Sequence, residues 1–126
     1  MVLADTSVWI DHLRIADPQL TRLLRRGEVY IHPWIIGELA CGHLTPREKT
    51  IQSLKELPQL LPARPDEVLV FIDANRLMGR GIGYVDLHLL AAVKQNGATI
   101  WTRDKRLLQA AIELKLAHIP PPALVN

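Results

Sequence analysis

The sequence predicts an α/β protein, a central parallel sheet covered by helices on both faces and folded as one domain over residues 1–126. Three observations lead there. Short apolar runs of strand length stand at Val2–Ala4, Val29–Ile31 and Ala98–Trp101, and continuous apolarity marks strands buried on both faces. Longer segments with apolar residues at helical spacing separate them, and such alternation implies parallel strands joined by crossovers. The chain also has 126 residues, 48% hydrophobic and 22% charged, which suits a single soluble domain with a real core.

Val2 to Ala4 is the first strand. It stops at Asp5 and, after two hydroxyl residues, passes into a helix with Val8, Trp9, Ile10 and Leu13 as its apolar positions. Asp17-Pro18 starts a second helix, with aspartate as N-cap and proline in the first turn. Leu20, Leu23 and Leu24 form its stripe, and Gly27 ends it. The second strand, Val29 to Ile31, closes at His32-Pro33. Trp34 to Cys41 then carries Ile35, Ile36, Leu39 and Ala40 at helical spacing, with Glu38 among them and Gly42 as a stop. Thr45-Pro46-Arg47-Glu48 repeats the start signal, with Thr45 as hydroxyl cap and Glu48 completing a capping box. That helix reaches Leu57, with Ile51, Leu54 and Leu57 inward.

Pro58 to Pro65 is a proline-rich connector without the serine or glycine of an interdomain linker. Asp66 is expected to cap a helix over Glu67 to Met78, with Val68 or Leu69, Ile72 and Leu77 inward. Gly79 to Gly83 breaks it. Tyr84 to Gln95 is the next helix, ended by Asn96-Gly97. Ala98 to Trp101 is the third strand, with Thr102-Arg103-Asp104 at its C-terminal end. Lys105 to Lys115 is the last long helix, and Ala117 to Ile119 a short final strand.

A net charge of +2 does not announce a nucleic-acid binder, so local clusters matter more: Arg22, Arg25 and Arg26, then Arg103, Lys105 and Arg106. Cys41 is the single cysteine, which favours a reducing interior. No run approaches the roughly 20 apolar residues needed to span a bilayer, and the N-terminus lacks a signal-peptide pattern. A cytoplasmic protein with no membrane partner is the expectation.

Four acids have related placements. Asp5 and Asp104 each follow a strand and open a helix, so a parallel sheet puts both at one edge. Glu38 lies on the helix after the second strand, and Asp86 in the first turn of the helix after Gly83. Each also has a plain reading: Asp5 and Asp104 as caps, Glu38 as a solvated helix residue, Asp86 as a complement to the helix dipole. If the four converge on one crevice, their unpaired carboxylates would repel by a few kcal/mol per close pair. A hard divalent cation resolves that repulsion, because Mg²⁺ and Mn²⁺ prefer oxygen ligands. A zinc site built on Cys41, His43 and the other histidines fits no paired Cys/His spacing. Gly79 to Gly83 is too irregular for a dinucleotide or Walker loop and reads as a tight turn leading to Asp86. Trp9, Trp34 and Trp101 are candidates for stacking bases, with core packing the stronger reading for Trp101.

The stretches that carry these acids resemble PIN domains, especially the VapC toxins of bacterial toxin–antitoxin pairs. They are Val2 to Asp11, His32-Pro33 with Gly37-Glu38-Leu39-Ala40, Gly81 to Ala92, and Trp101 to Leu107. The resemblance spans essentially the whole chain. It implies a three-layer α/β/α fold, an Mg²⁺ or Mn²⁺ site, and endoribonuclease activity restrained by a VapB-like antitoxin, in a protein that forms homodimers. It matches the family's acidic positions to Asp5, Glu38, Asp86 and Asp104, and its supporting hydroxyls to Thr6 and Thr102. Where some PIN domains carry a further acid, this chain has Lys105 and Arg106, which leaves one metal or two open. In the mechanism this implies, Asp5, Asp86 and Asp104 hold the metal and Glu38 orients or deprotonates the attacking water. Arg103, Lys105 or Arg106 then contact the RNA phosphate. A non-catalytic PIN-like RNA-binding module is the rival. A phosphoacceptor receiver fits less well, since Thr6 follows Asp5 where receivers carry paired acids. Leu57 to Pro62, apolar for a connector, is a candidate surface for oligomerisation or antitoxin docking.

Overall fold

The computed structural model describes residues 1–122. Three parallel strands, β1 (Val2–Ala4), β2 (Val29–Tyr30) and β3 (Thr99–Trp101), form one sheet in the order β2–β1–β3. Around it lie α1 (Thr6–Arg14), α2 (Pro18–Arg25), α3 (Pro33–Ala40), α4 (Arg47–Lys55), α5 (Pro65–Ala74), α6 (Tyr84–Gln95) and α7 (Lys105–Glu113). The central strand sets Leu3 beside Tyr30 on one side and Ile100 on the other. The path from β1 to β2 moves outward one way, and the path from β2 to β3 returns past β1. Right-handed crossovers therefore place their helices on opposite faces, which gives the expected α/β/α layers.

The core follows from that burial. Leu3, Ala4, Ile35, Leu89, Leu90, Ile100 and Leu107 are sealed from solvent. α6 is buried from Leu87 to Val93 without a break, as befits a helix apolar all round. Truncating such a leucine to alanine costs about 2–5 kcal/mol.

Several local expectations give way to stronger local chemistry. Asp66 does not cap α5. Pro65 is preorganised for the first helical position, so Arg64 becomes the N-cap and its N–H donates to Glu67 Oε1 at 2.9 Å. Pro46, not Thr45, holds the cap position of α4. α5 stops at Ala74, short of Met78, because Asn75 Nδ2 donates to the Phe71 carbonyl at 2.9 Å and Arg76 turns to φ 51°. The final strand contracts to one bridge between Ala117 and Ile100; the prolines from 120 onward have no N–H to extend it. The opposite edge gains a bridge between Ile31 and Gln59. Ile10 and Leu13 stay 47% and 40% exposed, because α1 buries Val8 and Trp9 instead.

Candidate active site

β1 and β3 lie side by side, and their connections leave in opposite directions, so a crevice opens beyond their C-terminal ends. The Asp5 N–H donates to the Trp101 carbonyl at 3.0 Å and ties the two strand ends together. Asp5 itself is only 4% exposed. Its carboxylate caps α1, accepting from the N–H groups of Ser7 at 3.0 Å and Val8 at 3.3 Å. The same group accepts hydroxyl hydrogen bonds from Ser7 and from Thr102. Asp104 caps α7 by accepting the Leu107 N–H at 2.9 Å. Thr102 joins the two acids: its hydroxyl donates to Asp5 Oδ2 and accepts the Asp104 N–H at 3.1 Å. Both aspartates are thus caps in fact. A cap occupies part of a carboxylate's four acceptor sites, so capping and coordination do not compete outright.

Glu38 reaches the same neighbourhood from α3. Thr6 Oγ1 donates to its Oε1 at 2.6 Å, fixing one carboxylate oxygen across the α1–α3 contact. Glu38 also borders a cavity of about 330 Å³ whose walls include Arg14 of α1 and His43 of the α3–α4 loop. Asp86 is half-buried in the first turn of α6. Burial, then the charges of Asp5, Glu38 and Asp104, push its pKa up to about 6. Asp86 thus lies within electrostatic reach of each of the other three predicted acids. Burial also raises the Asp5 pKa, outweighing its four hydrogen bonds.

None of the four forms an ion pair among the described residues, and no three such side chains there are gathered around one point as a finished cage. Mutual repulsion favours rotamers that hold like charges apart. The donor set, carboxylate and hydroxyl oxygens only, fits a hard divalent cation and not a soft one.

The basic candidates divide. The Arg103 guanidinium bridges Asp11 and Asp17, the latter at 2.8 Å, with its face 5.9 Å from the Trp101 ring centre. It braces α1 and the start of α2. Lys105 and Arg106 are exposed and free of ion pairs among the described residues. The Arg106 side chain crosses Gly81, which has φ +75° and no room for a Cβ beneath it. That packing sets a guanidinium over the turn leading to Asp86.

Two features escaped the sequence reading: Ser7, whose hydroxyl binds Asp5 and accepts the Arg103 N–H at 3.0 Å, and the pairing of Arg103 with Asp11 and with Asp17, which caps α2 as expected. Ser7 was legible as the second hydroxyl after a strand-end acid. No spacing rule links Arg103 to acids some ninety residues earlier. Cys41 is exposed with a free thiol.

A PIN domain family model matches residues 2–113. Ribonuclease VapC32 of Mycobacterium tuberculosis, in two strains, is 47% identical over 118 residues, covering 93% of this chain and 95% of that protein. Among solved structures, PAE2754 from Pyrobaculum aerophilum matches with a TM-score of 0.66 at 18% identity, over 93% of this chain and 87% of that one. FitAcB from Neisseria gonorrhoeae matches with a TM-score of 0.63 at 21% identity, over 93% and 95%. The two structural likenesses speak for the fold; the sequence matches go further. With strand-end acids at the positions described and a family model spanning nearly all of it, the chain belongs to the PIN-domain family.

Proposed function

We propose that this protein is an Mg²⁺- or Mn²⁺-dependent endoribonuclease and the toxin of a toxin–antitoxin pair, its catalytic and metal-holding residues being Asp5, Glu38, Asp86 and Asp104. The observation that carries the reading is the placement of Asp5, Glu38 and Asp104 around a half-buried Asp86, whose carboxyl burial and then those charges push up to about 6, with no ion pair to any of the four among the described residues. Carboxyls perturbed by burial and by specific charge partners cluster at functional sites, and a bound cation would relieve the repulsion here. The 47% identity to a protein named as a ribonuclease supports RNA as substrate.

Asp5, Asp86 and Asp104 would hold the cation, directly or through water. A cation there supplies Lewis-acid polarisation of the scissile phosphoryl oxygen. Glu38 orients the attacking water and takes its proton: Thr6 holds Oε1 and leaves the second oxygen to act as base. Thr102 and Ser7 keep Asp5 in one rotamer, so the acid does not have to reorganise during the reaction. Lys105 and Arg106 meet the phosphate backbone on the rim. A VapB-like antitoxin restrains the activity. A homodimer belongs to the same reading, with the apolar 57–62 connector, whose Leu61 is 75% exposed, as a surface for oligomerisation or antitoxin docking.

The absence of a finished cage among the described residues favours one rival, a non-catalytic RNA-binding module. Incubating purified protein with cellular RNA, with Mg²⁺ or with EDTA, separates the two. Discrete new RNA ends in Mg²⁺ alone are expected, lost in Asp5→Asn. Cleavage by Asp5→Asn at the wild-type rate would overturn the metal assignment, and no cleavage by either protein would favour the binding module. Inducing the chain without its antitoxin is expected to arrest bacterial growth, again only with Asp5 intact.

A further inference from the structure

We propose that Trp34 and Tyr84 form a stacking shelf for an unpaired base of the RNA next to the scissile phosphate. The inference rests on RNA being the substrate of the acidic site and names a base-binding subsite beside it.

The chain has three tryptophans, and packing separates them. Trp9 and Trp101 are buried, at 3% and 4% exposure, whereas Trp34 is 38% exposed and Tyr84 49%. The exposed pair is nonetheless held firmly. The Trp34 ring lies 4.2 Å, centre to centre, from His88, and Tyr84 meets the same imidazole edge-on at 4.5 Å. His88 is 2% exposed and belongs to the continuously buried stretch of α6. The Trp34 N–H donates to Nδ1 of His32, another buried histidine, at 3.1 Å. Backbone and ring are therefore both anchored, and a preordered aromatic loses little entropy on binding.

The shelf also adjoins the acidic site through α3. Trp34 precedes Glu38 by one turn of α3, a spacing that puts the two side chains on one face with about 5–6 Å between Cβ atoms. Tyr84 opens α6 and meets the Trp34 ring at 6.3 Å, centre to centre, so it extends the Trp34 surface, while Asp86 two residues on faces another side of the helix. The same two helices thus present an acid to the phosphate and an aromatic to the base. Base-on-aromatic stacking tolerates any sequence and survives salt that weakens phosphate contacts. The shelf accordingly selects single-stranded over paired RNA, since a base must leave its stack to reach it.

The test measures binding apart from cleavage. Asp5→Asn protein in Mg²⁺ is titrated with a pool of short single-stranded RNA of random sequence, and with abasic ribose–phosphate strands of the same length. The unaltered protein in EDTA repeats the comparison, so the result does not hang on one variant folding. Base-bearing RNA is expected to bind about 5- to 100-fold tighter than the abasic strand. Trp34→Ala and Tyr84→Ala should remove most of that preference, while Trp34→Phe and Tyr84→Phe keep most of it. In otherwise unaltered protein the alanine variants should raise KM about tenfold and leave kcat within about threefold. Equal affinity for the two strands overturns the proposal. So do alanine variants that bind RNA as their parent does but change the molecular mass in solution, which would make the shelf a contact between copies. Base preference without cleavage would sink the nuclease reading and leave the shelf; cleavage without base preference would do the reverse.

Discussion

Two groups of acids stand near the ends of β1 and β3, and the protein treats them differently. Asp11 and Asp17 share the Arg103 guanidinium. Burial works against Asp17, but N–H bonds from Leu20 and Gln19 and the contact with Arg103 overcome it and hold its pKa below the usual carboxylate range. Asp86 has no such partner among the described residues; burial and three like charges lift it to about 6. Arg103 is the residue immediately before Asp104, so a guanidinium stands one residue from the acidic crevice and points away from it. The difference teaches what each group is for. Acids neutralised by an arginine are complete and hold α1, α2 and the end of β3 together. Acids left to one another are what the proposed cation site calls for.

Asp86→Asn presses hardest on that contrast. If the cluster works as a cation site, removing one charge keeps the fold and lowers Mg²⁺-dependent RNA cleavage at least about 100-fold, the scale of losing a preorganised electrostatic contact. Assays at saturating Mn²⁺ check it, and a loss under threefold would mean that Asp86 is not in the reacting set.

The next effect is on stability, and its sign is opposite to that on activity. Unfolded Asp86 titrates near 3.8 and folded Asp86 near 6, so between those values the folded state binds more protons and stability falls as pH rises. Two pH units correspond to about 3 kcal/mol, reduced to about 1–2 for a group only half-buried. His32 runs the other way. Burial, then the nearby His88, lowers it from 6.5 to about 4, so its contribution is lost as pH falls through the same window. His12, His88 and His118 are also lowered by burial, so the wild-type protein in EDTA should lose Tm from pH 6.5 toward 4, with Asp86 offsetting part of that loss. Asp86→Asn should be more stable than wild type above pH 6.5 and should lose Tm on acidification. Adding Mg²⁺ should raise the wild-type Tm alone and narrow the gap. Parallel Tm–pH curves for the two proteins would contradict the assignment.

How much of this was legible before the structure depends on how local the cause is. Asp5 and Asp104 were readable because an apolar run ending in an acid and then a helix is a contiguous pattern. Asp86 after the 79–83 turn was readable for the same reason. Where two local signals compete, pattern alone does not rank them: Pro65 outdid Asp66, and Asn75 ended α5 before Met78. Exposure depended on partners. Ile10 and Leu13 fit a buried stripe by spacing, yet α3 and α4 leave a cavity beside them. Trp34 looked no different from Trp9 until His88 was seen beneath it. The Arg103 brace was out of reach altogether, since its three residues share no element and no period.

That brace offers the smallest effect and the sharpest control. Its side chain is 37% exposed and its acids 49% and 19%, so screening trims the Coulomb gain, while the two-acid grip of one planar group adds more than an isolated surface pair. Arg103→Met keeps an unbranched apolar side chain of similar reach and removes the charge; a loss of about 1 kcal/mol is expected by urea denaturation, shrinking at high salt. Arg103→Lys should recover only part of it, because an ammonium does not match the fork that reaches Asp11 and Asp17 together. Cleavage per folded molecule should stay within about threefold of wild type in both variants. If instead Arg103→Met abolished cleavage while the fold stood, the guanidinium would have to leave its two acids during the reaction and turn to the RNA, and the division between braced and unbraced acids would hold only at rest.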